Sequence, residues 1–177
     1  MANTRGITLV ELIIVISIIG ILVLALGFSF QGWVGGYRVE VQTKEMYADL
    51  MSARARAMQR NRAHFVTLTI TSYTVYDDTN PAPDGNGTLE TAGAPDTQLL
   101  LKPLDTRYPV TWSGIADTEI EFTARGLSND SKTICSNTDA DADYNCIEIS
   151  ATRINLGRLT TLITNGGACN GTNCVAK

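Results

Sequence analysis

The chain has 177 residues, 44% of them apolar and 18% charged, with a formal net charge of −4. That length fits one domain with an appendage, and the composition excludes a collagen-like or highly charged disordered chain. The mild negative average also excludes a generally basic nucleic-acid binder, but it conceals segregation. Residues 1–62 carry seven Lys/Arg against four Asp/Glu, a net +3, whereas residues 63–177 carry seven against fourteen, a net −7.

Residues 1–6, Met-Ala-Asn-Thr-Arg-Gly, precede an apolar run over 7–30 whose single charge is Glu11. At a rise of ~1.5 Å per residue, that run is a helix long enough to cross a ~30 Å hydrocarbon core. A buried soluble helix rarely extends so far without a polar stripe. A secretory signal has a shorter apolar region and ends in an A-x-A-like site, which is lacking after Phe30. A membrane span over about 7–30 is therefore expected, with Trp33 and Tyr37 at headgroup level. A carboxylate at the bilayer centre costs about 2.5–3.5 kcal/mol on insertion scales, so Glu11 is a functional candidate, with snorkelling to the interface as the alternative. The span offers it no Lys or Arg; an amino terminus created just before Glu11 would supply the missing cation.

Beyond Gly36 a helical period resumes. Tyr47, Leu50, Met51 and Met58, with Ala48, Ala53, Ala55 and Ala57 and no proline, predict one helix from Ile7 to about Asn61. Gly27, Gly32, Gly35 and Gly36 are expected to weaken its middle. Arg54, Arg56, Arg60 and Arg62 crowd its end, either as a solvated face that suits a helix carboxy terminus or as a patch for an acidic neighbour. From Phe65 the period becomes two: Val66, Leu68 and Ile70 alternate with Thr67, Thr69 and Thr71, a half-buried strand. Residues 77–88 (DDTNPAPDGNGT) read as a loop. Further strands are predicted over 98–104, 108–112, 119–123, 133–135, 146–152 and 153–163, the last interrupted at Gly157. The predicted fold is α+β: a helix over 7–62 packed on a small antiparallel β head over 63–177.

Cys135, Cys146, Cys169 and Cys174 all lie in the head, an even count that predicts two disulfides with three possible connectivities. Pairing of chain neighbours, Cys135–Cys146 and Cys169–Cys174, is expected. A zinc site is the alternative, but the gaps between the cysteines and the solitary His64 do not suit it. Disulfides require an oxidising compartment, which places the head outside the cytoplasm and the amino terminus inside. Asp139, Asp141, Asp143 and Asn145 offer oxygen ligands at alternate positions, a pattern that could hold calcium or form a solvated acidic loop. It lacks the glycine and the bidentate glutamate of an EF-hand. No nucleophile, metalloprotease, phosphate-binding or dinucleotide motif occurs, so neither catalysis nor an organic cofactor is expected.

The hexapeptide Gly6-Ile7-Thr8-Leu9-Val10-Glu11, placed ahead of an apolar span, resembles the type IV prepilin signature. The resemblance implies that a prepilin peptidase cuts between Gly6 and Ile7, that Ile7 becomes the N-methylated terminus, and that 1–6 is a leader. The family usually has Phe in place of Ile7. It further implies that Glu11 pairs with the amino terminus of a neighbouring subunit during assembly. Leu50-Met-Ser-Ala-Arg54-Ala-Arg-Ala57 with Phe65-Val66-Thr67-Leu68 resembles the H-type minor pseudopilin and FimT/FimU minor pilin group. So does Glu121-Phe-Thr-Ala-Arg125-Gly126-Leu127 followed by Thr133-Ile134. This implies a structural subunit held in the inner membrane with a periplasmic head. Its partners would be other pilins or pseudopilins, in a type II secretion pseudopilus or a type IV pilus, near the tip. Some FimT-like proteins capture DNA through a Gly-Arg-x-Arg element. Here Gly157-Arg158-Leu159-Thr160 lacks the second arginine, so Arg153 and Arg158 are the remaining DNA contacts to consider, and nucleic acid is not the expected partner. Adhesion through the 77–96 loop is a further alternative.

Overall fold

A computed structural model describes residues 6–177, except the side chains of 25–31. Helix α1 (Leu9–Arg60) is one element of 52 residues. Thr8 caps it, its hydroxyl accepting the Glu11 N–H at 3.2 Å, so the helix begins two residues later than expected. It ends where the sequence indicates: Asn61 adopts a left-handed conformation (φ 53°) and its N–H bonds the Ala57 carbonyl. The glycines do not break it. At Gly36 an added Cβ would lie 2.3 Å from the Asp141 carbonyl oxygen, and at Gly35 one would touch Ala140 and Tyr108. These two residues let the backbone of the head approach the stalk, so their missing side chains serve packing rather than bending.

Nine strands follow: β1 (His64–Thr69), β2 (Ser72–Asp77), β3 (Thr97–Pro103), β4 (Val110–Trp112), β5 (Glu119–Phe122), β6 (Lys132–Ser136), β7 (Cys146–Ile149), β8 (Ile154–Leu159) and β9 (Cys174–Ala176). They form two antiparallel sheets, in the orders β3-β2-β1-β5 and β4-β6-β7-β8-β9. The expected α+β class holds, with two sheets on the helix. Met46, Leu50, Ala53 and Ala57 form one stripe of α1 and meet Val66, Leu68, Ile120 and Phe122 of the first sheet and Ile134, Ile147 and Ile149 of the second. The β1 alternation holds for Val66 and Leu68, but Ile70 is 61% exposed because it sits in the β1–β2 turn.

The cysteine pairing differs from expectation. Cys135 bonds Cys169 and Cys146 bonds Cys174, with Cα–Cα distances of 5.8 and 6.0 Å. Chain proximity misleads here because the carboxy-terminal segment folds back across the second sheet. Cys174 pairs opposite Leu159 at the β8–β9 edge, and the Cys169 sulfur reaches the Thr111 and Thr133 carbonyls. The four half-cystines, Leu159 and Ile163 make a second small apolar cluster. Gly157 makes room for it, since a Cβ there would lie 2.7 Å from the Val175 carbonyl oxygen and 2.8 Å from the Cys174 sulfur.

Two of the four arginines at the helix end are used internally. Asp77, 1% exposed, receives the Arg60 guanidinium on one carboxylate oxygen. Arg62 lies 3.3 Å from the other, and the His64 Nε2 lies 3.6 Å from that same oxygen. This cluster locks the last helical turn to β2. Burial lowers the His64 pKa below its usual 6.5, with the Asp77 charge opposing that shift. His64 is therefore neutral in the fold, whereas the unfolded chain takes up a proton as pH falls through ~6.5. Its contribution to stability is full above that pH and declines below it.

Gly36→Ala should destabilise by about 1–3 kcal/mol through overpacking against Asp141. Gly32→Ala, where nothing lies within 4 Å, should stabilise by up to ~1 kcal/mol through helix propensity. Denaturant unfolding of both variants checks the pair. Thermal unfolding should show the wild-type midpoint falling between pH 7 and 5.5 more steeply than that of His64→Leu, which has no imidazole to protonate; equal slopes would contradict the buried neutral histidine.

Candidate assembly site

Gly6 and Ile7 are exposed ahead of the Thr8 cap. Thr8 and Glu11 occupy the N-cap and third helical positions, the spacing of a capping box. The Glu11 amide satisfies the Thr8 hydroxyl. Its exposed carboxylate makes no hydrogen bond or ion pair among the described residues. Position in the first turn favours a negative charge through the helix dipole, but a second cation can still reach it.

Around that carboxylate the helix is apolar on every side. Ile7 is 76% exposed, Ile16 56% and Leu24 69%, and no described apolar residue over 7–24 is covered by the head. A helix that is apolar all round requires lipid or other helices as its surroundings. Among the described residues no helix is long and apolar enough to cross a membrane. The apolar sequence itself continues into 25–31, whose side chains lie outside the description. Residues 1–5 of the expected leader also lie outside it.

The head takes hold of the stalk immediately above this segment. Trp33 and Tyr37 stack with ring centroids 6.4 Å apart on the exposed face, while Gly35 and Gly36 are buried. Gln42 donates to the Tyr108 carbonyl at 2.8 Å and accepts the Asp105 N–H at 3.1 Å. Asp105 also faces Arg107 and Arg38, which hold its carboxyl down at about 2.

The acidic run is tied to nearby cations. Arg158 donates twice to Asp141, at 2.9 and 2.8 Å, and lies 3.6 Å from Asp143. Lys177 bonds Asp143 at 2.8 Å and lowers its pKa, with Arg158 and Lys44 adding to the effect. Asn145 turns inward, its side-chain oxygen accepting the buried Leu159 N–H at 2.7 Å. Asp139 stays exposed. Among the described residues, the carboxylates with oxygens within 4.8 Å of one another are those of Asp78, Glu90 and Asp96. These organise the loop after β2. Asp78 accepts from the Asn86 and Gly87 amides, and Asp96 from Thr79, Asn80 and Glu90. Turn composition marked this segment as a loop, but could not show that buried carboxylates hold it.

Arg153 and Arg158 are not brought together. Arg158 lies beside the stalk at Asp141, whereas Arg153 lies in the β7–β8 turn, beyond Ala151, which bonds Ser128. With Arg158 held by two carboxylates, the geometry assembles no phosphate-binding pair from these residues.

Residues 42–152 match the family of the type II transport protein GspH, and residues 1–27 match the prokaryotic N-terminal methylation motif. A comparison with curated proteins found no match. Two crystal structures of the type IV minor pilin FimU from Pseudomonas aeruginosa are similar. The P65 form is 21% identical over 66% of this chain and 90% of that one, with a TM-score of 0.49. The P21 form is 19% identical over 67% of this chain and 87% of that one, with a TM-score of 0.50, a likeness of fold. With well over half of its length in the family match and the methylation motif at its start, the chain belongs to the GspH family of minor pilins and pseudopilins.

Proposed function

We propose that this subunit is stored in the inner membrane through its apolar helix, with the head in the periplasm. It is cut between Gly6 and Ile7, methylated on Ile7, and assembled into a pseudopilus or pilus near the tip. The observation that carries this reading is the Glu11 carboxylate, unpaired among the described residues on a helix apolar all round. In lipid such a charge is costly alone, and the ammonium of a neighbour's new terminus is equally costly; together they compensate. The contact therefore forms as subunits leave the bilayer and fixes their axial register. Each head, seated from Gly35 upward, leaves the lower helix uncovered for packing against other helices.

Two variants test the pathway. Glu11→Ala should insert into the membrane at wild-type levels but be absent from purified filaments; normal incorporation would rule out the pairing role. Gly6→Ala should retain residues 1–6, detectable by mass spectrometry of the intact protein, while wild type begins with methylated Ile7.

A further inference from the structure

Residues 84–88, in the loop after β2, run Asp-Gly-Asn-Gly-Thr. An asparagine followed two positions later by Ser or Thr, with no proline between, is the acceptor triplet for an N-linked glycan, at home on a surface loop of an exported protein. Asp84 extends that triplet two positions before Asn86, where bacterial oligosaccharyltransferases take an acid. Two other triplets occur, Asn129-Asp-Ser131 and Asn170-Gly-Thr172, but Leu127 and Ala168 stand at the acidic position. The chain thus carries one complete five-residue acceptor.

The fold presents the same asparagine. Asp84, Asn86 and Thr88 are all exposed. Beneath them the buried Asp78 accepts the Asn86 N–H at 3.2 Å and the Gly87 N–H at 2.7 Å, which fixes the backbone from inside and leaves the side chain at the surface. Gly87 has φ 79°, and a Cβ added there would meet nothing within 4 Å, so that side of Asn86 is open. The Asn86 side-chain oxygen accepts the Thr88 N–H at 2.8 Å, and Nδ2 donates one hydrogen to Glu90 Oε1 at 2.7 Å. A glycosylated amide keeps its oxygen and one N–H, so both bonds survive attachment of a sugar. Asn170 is more crowded: it adjoins the half-cystine Cys169, and a Cβ at Gly171 would lie 2.5 Å from the Glu148 carboxylate. The Asp78 N–H bonds the Ala63 carbonyl and Arg62 donates to the Pro83 carbonyl at 2.9 Å. The loop therefore lies over the carboxy end of α1, far from the lower helix, where a bulky group leaves helix packing unobstructed.

We infer that Asn86 is a glycosylation site, loaded in the periplasm with an oligosaccharide from a lipid pyrophosphate carrier. Asn86 Nδ2 bonds the anomeric carbon of the first sugar while the bond from that carbon to the pyrophosphate oxygen breaks. The lipid pyrophosphate leaves with the electron pair, and one amide proton passes to a base of the transferase. Asp84 supplies the charge and Thr88 the hydroxyl by which the transferase holds the segment. The inference rests on the reading that places the head in the periplasm, but is independent of Glu11.

The test is mass spectrometry, intact and by peptide, of the full chain purified from the membranes and filaments of its own host. Wild type should carry a sugar mass on the peptide that holds Asn86, and Asn86→Gln should lose it completely. Asp84→Asn and Thr88→Ala should each lower occupancy at least tenfold, while Thr88→Ser, Asn129→Gln and Asn170→Gln retain it. Two closed disulfides in the same spectra show that each variant is folded. An unmodified Asn86 overturns the inference, as does sugar carried instead on Asn170 or on a hydroxyl, or occupancy indifferent to both Asp84 and Thr88. An unmodified Asn86 beside a methylated Ile7 and closed disulfides leaves the periplasmic reading standing; four free thiols would remove that reading as well.

Discussion

A single unbroken helix has to meet two environments, and the rest of the molecule is arranged around that requirement. Hydrogen bonds along α1 satisfy its backbone in either setting, so side chains alone decide what surrounds each half. Below Gly35 the described side chains, Thr8, Glu11 and Ser17 apart, are apolar in every direction. Above it one stripe, from Val39 through Met46, Leu50, Ala53 and Ala57, is sealed by the head. The change is abrupt because it depends on a backbone-to-backbone approach at Gly36 and Asp141, which admits no side chain. Seating the head there sets the height of both sheets on the stalk.

Charge follows the same division of labour. Inside the head, buried acids and bases act as fasteners. Asp77 holds the helix end, Asp78 and Asp96 gather backbone amides of one loop, and Lys132 secures the turn before β5. Those charges are spent on internal partners. The Glu11 carboxylate near the helix start has no such partner among the described residues, and is available to other molecules.

Much of this architecture was legible in the chain. The long helix and its stop near Asn61, the loop after β2 and most strands followed from periodicity and punctuation, whereas the prepilin-like start was legible only through its resemblance to a known signature. β2 escaped because the turn before it, Ile70-Thr71, has neither glycine nor proline, so nothing marked a reversal. β9 escaped because three residues are too few to show a period. The capping box at Thr8 and Glu11 is readable from spacing alone and overlaps the prepilin-like signature. Gly35 and Gly36 were legible as glycines and misjudged as weak points, since a close approach from residues more than 100 positions away leaves no local trace. The same non-locality governs the arginines: four neighbours in sequence divide between an internal lock and an outward face.

The crossed disulfides carry a consequence for the order of events during biogenesis. Each bond joins a strand in the middle of the second sheet to the last few residues of the chain, across separations of 34 and 28 positions. A head with neighbour-paired cysteines could close one bond as soon as Cys146 emerged. Here the first native bond has to wait for Cys169 and the second for Cys174, so most of the head precedes either bond. A chain cut shortly before Cys169 would therefore leave Cys135 and Cys146 without their native partners, as free thiols in the middle of the second sheet.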